Sequence, residues 1–200
     1  MTCIVGVVEG DTVWIGGDSA GVGGLSLTVR ADAKVFTNGS MVFGFTASFR
    51  MGQLLRHALT VPDHDPRVPV EKYMATTFID AVRACLKSHG WASKKDENEI
   101  GGDFLVGYRG RLFSIESDYQ VGESVDGYAA TGCAHDVARG ALFATPGLAA
   151  RPRVLLALEA AERCSAGVRG PFHVLASPRP ASVQTSAFLG PGEIIEVAGA

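Results

Sequence analysis

Met1-Thr2-Cys3-Ile4-Val5-Gly6-Val7-Val8, then Glu9-Gly10-Asp11, then Thr12-Val13-Trp14-Ile15-Gly16-Gly17-Asp18, is the stretch on which the fold turns. Residues 3–8 and 12–15 are apolar, β-branched runs separated by an acid-glycine-acid turn, the pattern of two paired strands. Their continuity suits strands buried on both faces rather than a sheet with one wet side. A threonine heads the first run. With Met1 removed, its hydroxyl and a free α-amine share one α-carbon, which places a nucleophile beside its own base. An α-amine titrates near pH ~8, so a modest downward push leaves it neutral and able to accept a proton.

Outward from this hairpin, a glycine-rich loop at 21–24 leads to a strand over 25–30. Runs at 33–37 and 41–46 flank Asn38-Gly39, a hairpin turn signal. Ser48 caps a helix reaching residue 59, with Met51, Leu54, Leu55 and Ala58 on one face. After the polar connection 62–69, the helical spacing returns over 70–89 through Tyr73, Met74, Phe78, Ile79, Val82 and Leu86. The charged stretch 94–99 reads as a solvated loop. Strands are predicted over 103–108, 112–117 and 127–131, helices over 135–144 and 153–166, and strands over 172–176 and 193–197. No βαβ alternation and no internal repeat is visible, so the order points to an α+β fold layered over antiparallel sheets.

Composition narrows the possibilities. A length of 200 residues predicts one domain spanning 1–200, and 46% apolar with 20% charged residues is ordinary for a soluble globular chain. The net charge of −3, with scattered basic residues, argues against a grip on nucleic acid or anionic membranes. No apolar run approaches the ~18 residues that cross a bilayer, and Glu9 and Asp11 interrupt the first run too early for a secretory signal. Cys3, Cys85, Cys133 and Cys164 lack metal-binding or CxxC spacing, so reduced thiols and a cytoplasmic location are expected.

Taken together, Thr2-Cys3-Ile4-Val5, Gly17-Asp18 at a strand end, Lys34 in the next hairpin and Gly44-Phe45-Thr46-Ala47 before a helix resemble the N-terminal threonine hydrolases of the proteasome β-subunit and HslV type. The intervals from Thr2 to Asp18 and to Lys34 match that family's nucleophile, aspartate and lysine without a gap. The resemblance implies a four-layer αββα sandwich, peptide-bond hydrolysis, and no cofactor or metal. A lysine ammonium beside the terminal amine disfavours a second positive charge there and favours negative charge developing near the hydroxyl. Asp18 then keeps Lys34 ionised and oriented.

The resemblance also carries into the second half, with departures. Gly132-Cys133 stands where the family has a Gly-Ser element contacting the terminal amine, and a thiol is a weaker hydrogen-bond donor than a hydroxyl. Glu162 and Ser165, followed by Ala166-Gly167, resemble the family's Asp-x-x-Ser-Gly-Gly, whose members support the nucleophile; the longer acid implies a contact to Thr2 that is shifted or water-mediated. Ala47 occupies the position of a backbone oxyanion donor that is glycine in relatives; a main-chain N–H survives the added methyl. Ala20, Gly21, Val22 and Phe45 correspond to substrate-lining positions, and a bulky Phe45 favours small or slender apolar side chains.

One residue precedes Thr2, as in the HslV branch, so removal of Met1 by methionine aminopeptidase is the expected activation. The resemblance implies a peptide or unfolded-protein substrate, a homo-oligomeric ring, and an ATPase unfoldase as partner. Two rival readings share the fold: a scaffold subunit without activity, and a small-molecule amidohydrolase. The intact Thr2, Asp18 and Lys34 speak against the scaffold.

Overall fold

In the computed structural model, which describes residues 1–95 and 98–178, β1 (Cys3–Glu9) and β2 (Thr12–Gly17) pair antiparallel from Glu9 opposite Thr12 to Ile4 opposite Gly17. Gly10 takes φ +57° in the turn, a backbone that suits glycine. The chain continues through β3 (Ala20–Gly23), β4 (Ser26–Val29), β5 (Val35–Asn38), β6 (Met41–Phe45) and α1 (Phe49–His57). Ser48 caps α1, its side chain accepting from the Arg50 and Met51 N–H groups. Then α2 (Val70–Tyr73) runs through a wide π-turn (Met74–Phe78) into α3 (Ile79–Ser88). The second half comprises β7 (Ser93–Lys95), β8 (Asn98–Ile100), β9 (Phe104–Tyr108), β10 (Arg111–Ile115), β11 (Val121–Glu123), β12 (Tyr128–Gly132), α4 (His135–Ala144), α5 (Ala150–Cys164) and β13 (His173–Ala176).

Two antiparallel sheets form the centre, ordered β12-β1-β2-β13 and β11-β10-β9-β6-β5. Alternation along β1 sorts its side chains between layers. Cys3, Val5 and Val7 face α4 and α5, meeting Leu142, Val154 and Leu158. Ile4 faces the other way, into a core shared by the two sheets with Val13, Ile15, Val35, Val42, Leu105 and Leu112. The far side of the second sheet packs Phe43, Phe104 and Phe113 against Met51, Leu55, Phe78 and Val82 of the helices. The result is the αββα sandwich that the sequence predicts. Gly44 lets the sheets close: a Cβ there would stand 2.5 Å from Ile4 and 2.7 Å from Ile15.

Several local expectations change. The glycine-rich stretch after Asp18 is mostly strand, because β3 pairs with β4 in register from Ala20–Val29 to Gly23–Ser26. Within the stretch expected to be loop, β7 and β8 form a small backbone ladder. β11 pairs with the edge of β10 without an apolar run to announce it. α5 starts at Ala150, before Pro152, since proline is tolerated in a first helical turn where its missing N–H has no partner to lose. The strand predicted over 193–197 lies outside the described residues. Among those described, no helix is long and apolar enough to cross a membrane.

Candidate active site

The register of β1 with β2 brings residue 18 alongside Cys3. The Asp18 N–H reaches the Cys3 carbonyl at 3.4 Å, and the Cys3 N–H donates to Asp18 Oδ1 at 2.9 Å. Lys34 precedes β5 and extends its ladder, its carbonyl accepting from the Phe45 N–H. Its side chain runs inward, and Nζ meets Asp18 Oδ1 at 2.9 Å with both side chains fully buried. The other carboxylate oxygen, Oδ2, accepts from Ala20 N–H at 2.9 Å and Arg169 N–H at 3.3 Å. Asp18 is thus bound by four donors from separate parts of the chain.

Thr2 lies against this pair and is only 5% exposed. Its hydroxyl donates to the Met1 carbonyl at 2.5 Å, and Lys34 Nζ approaches the same oxygen at 3.5 Å. The Thr2 carbonyl accepts from the Cys133 N–H at 2.6 Å. Gly132 holds φ +92°, and a Cβ there would stand 2.2 Å from that carbonyl oxygen, so only glycine fits.

Burial lowers the Lys34 pKa below its ordinary value, with the Asp18 carboxylate opposing that shift. Burial also pushes the Cys3 thiol up from 9.0 to about 12, with the Asp18 charge adding to the effect. A raised thiol pKa means the native state keeps a proton that the unfolded state gives up. The Cys3 contribution to stability is therefore complete below pH 9.0 and is lost as pH rises toward about 12, amounting to roughly 4 kcal/mol at its limit. Above pH 9, urea midpoints of the wild type are expected to drop relative to those of Cys3→Ala; parallel profiles would contradict the assignment.

The strand-to-helix junction after β6 forms the opposite wall. Ala47 adopts φ +62°, strained for a residue with a Cβ, and among the described residues its N–H has no acceptor. Met1, Thr2, Val22, Phe45, Thr46, Ala47, Ser48 and Phe49 line a cleft of 70 Å³. Phe45 is buried there, edge-on to Phe49 with ring centroids 5.8 Å apart. Of the other expected lining residues, Ala20 is buried with its N–H on Asp18, and Gly21 lies beneath the Arg30 side chain. A larger cavity of 530 Å³ lies between β9–β11 and β12; it includes Gly132 but not Thr2, Asp18 or Lys34. Thr2 lines the smaller cleft, and Asp18 and Lys34 are buried behind it.

Cys133 contributes its backbone to Thr2, while its half-buried thiol packs with the core beneath α4 and α5. Ser165 accepts from the Gly167 N–H at 3.2 Å, in a turn where Gly167 abuts Met1. Glu162 bonds the Gly170 N–H at 3.0 Å, and no hydrogen bond joins it to Thr2. Ser19 and Arg169, both bonded into this network, carry no sequence signal: each is recognised only through partners about 150 residues away. Among the described residues, no group of three His, Cys, Asp or Glu side chains is placed to hold a metal.

No family model and no curated protein matches the sequence. Solved structures do. Thiobacillus denitrificans BPH superposes with a TM-score of 0.73 at 19% identity, over 88% of this chain and 97% of that one. A second structure of that protein, in complex with epoxomicin, gives 0.72 at the same identity and coverage. HslV from Trypanosoma brucei gives 0.62 at 19% identity, over 88% and 98% of the two chains. This chain has the HslV and proteasome-type fold. Within it, Thr2 heads the first strand of a central sheet, and Asp18 and Lys34 meet beneath it between the layers. Anbu from Yersinia bercovieri shares the HslV and proteasome-type fold with a TM-score of 0.61 at 17% identity, over 88% of this chain and 82% of that one.

Proposed function

We propose that this chain is a threonine-type amide hydrolase that cleaves peptide bonds once the Met1–Thr2 bond is broken. The observation that carries the reading is the fully buried Asp18–Lys34 pair whose ammonium lies 3.5 Å from the carbonyl joined to Thr2. A buried ammonium held by a carboxylate has a physical purpose next to a residue that must act as nucleophile and base together.

The Thr2 hydroxyl oxygen attacks the substrate carbonyl carbon, and its proton passes to the α-amine of the same residue. Lys34 keeps that amine neutral beforehand by disfavouring a second cation. Ala47 lines the cleft, and its N–H, without an acceptor among the described residues, donates to the oxyanion. Collapse breaks the C–N bond, the α-ammonium returns its proton to the departing amine, and an ester on Thr2 remains. Water then attacks that ester, with the amine again taking the proton, and releases the acid. Val22 and Phe45 line the cleft that receives the substrate side chains. The working form is a homo-oligomeric ring that takes unfolded polypeptide from an ATPase partner.

A β-lactone probe tests the assignment. Intact-mass and peptide mapping of Met1-free protein are expected to place one acyl group on Thr2, and Thr2→Ala is expected to take none. Epoxomicin, bound in the Thiobacillus structure, is a second probe. Acylation of Cys133 or Cys164 in place of Thr2 would overturn the reading.

A further inference from the structure

Residues 169–171 connect α5 to β13 and pass directly beside Asp18. We infer that Glu162 and Ser19 are positioning residues that clamp this loop from opposite sides and so hold the Arg169 N–H on Asp18. The inference rests on the hydrolase reading above and adds two residues that act through others.

From the helix side, Glu162 Oε1 accepts the Gly170 N–H at 3.0 Å. From the sheet side, Ser19 donates twice: its N–H to the Arg169 carbonyl at 2.7 Å and its hydroxyl to the Pro171 carbonyl at 2.6 Å. Ser19 is fully buried, and its own carbonyl accepts the Arg30 N–H, which anchors it to the β3–β4 hairpin. Between these anchors the Arg169 N–H reaches Asp18 Oδ2 at 3.3 Å, the longest of the four bonds to that carboxylate. Among the described residues Oδ2 has only one other donor, the Ala20 N–H. Release of the loop lets the carboxylate turn about its axis, and Lys34 Nζ, bonded to Oδ1, turns with it.

Neither clamp residue hydrogen-bonds Thr2 or Lys34. The clamp needs Glu162 as an acceptor, not as a charge. Its ionic partner, the Arg169 guanidinium, is 3.8 Å away with a side chain 53% exposed, a pair that solvent screens. Glu162→Gln keeps an acceptor oxygen in place, whereas Glu162→Ala removes it. A group that exchanged protons with Thr2 would fail equally in both variants.

The test uses Met1-free protein and a fluorogenic peptide, with Thr2→Ala as the blank. Glu162→Gln is expected to stay within about twofold of the wild type in kcat, while Glu162→Ala and Ser19→Ala each lose about tenfold with KM within about twofold. Hydrogen exchange of the amides of residues 168–170 reads the clamp independently of activity: faster in Glu162→Ala and Ser19→Ala, unchanged in Glu162→Gln. Unchanged exchange in Glu162→Ala, or equal kcat losses in the Gln and Ala variants, overturns the clamp. Full hydrolysis by Thr2→Ala overturns instead the hydrolase reading on which the clamp rests.

Discussion

Protein that retains Met1 is expected to be inert toward peptides, and the same protein without Met1 to hydrolyse them. The reason is chemical before it is steric. While Met1 is attached, the Thr2 nitrogen is an amide with no basic lone pair, and the loss of a general base alone is worth about 10²–10⁴ in rate. The hydroxyl is also diverted, since it donates to the Met1 carbonyl at 2.5 Å. Met1 further lines the cleft and packs on Gly167, filling space that substrate needs. The difference is therefore expected to exceed about 10³-fold. Intact mass identifies each form, and peptide hydrolysis measured on both decides the matter. Appreciable turnover by protein still carrying Met1 would refute it.

The second large effect concerns stability. Asp18→Ala leaves a buried ammonium without its counter-charge and strips acceptors from three backbone N–H groups. Breaking one partner of a buried pair destabilises by about 3–5 kcal/mol, which in a chain of this size lowers the melting temperature by about 6–20 °C. Lys34→Met, similar in volume, strands the carboxylate and is expected to lose a comparable amount. The double variant Asp18→Asn with Lys34→Met is expected to recover much of the stability and none of the activity, because a neutral buried pair needs no compensation.

The pH dependence follows the same pair. Burial depresses the folded-state pKa of Lys34, so between that value and the ordinary 10.5 the unfolded chain binds the extra proton and stability climbs with pH. That climb is expected to vanish in Lys34→Met. Urea unfolding across pH 7 to 10 measures both effects. Single variants within about 1 kcal/mol of the wild type would mean that the pair is not buried as described.

The catalytic candidates were legible because spacing along strands survives folding. Thr2, Asp18 and Lys34 each sit at a strand end; the β1–β2 hairpin brings the first two together, and the packing of the two sheets sets Lys34 on Asp18. The Ser48 cap and the paired apolar runs were legible for the same local reason. β3 was not, since its glycines supply no side-chain period and its strand character comes from pairing with β4. β7, β8 and β11 are too short to show one. The Glu162 contact was hidden for a different reason. Its likeness to an acid that supports the nucleophile suggests a shifted or water-mediated contact to Thr2, whereas its carboxylate accepts the Gly170 N–H, presented by the path of the chain after α5.

The four donors on Asp18 come from residues 3, 20, 34 and 169, which spread over nearly the whole described chain. On the hydrolase reading proposed above, a ribosome-bound fragment lacking the α5–β13 connection holds Thr2, Asp18 and Lys34 but lacks the Arg169 N–H, one of the four donors on the carboxylate. On that reading, activity waits for the α5–β13 connection to close on the sheet, late in the synthesis of the chain.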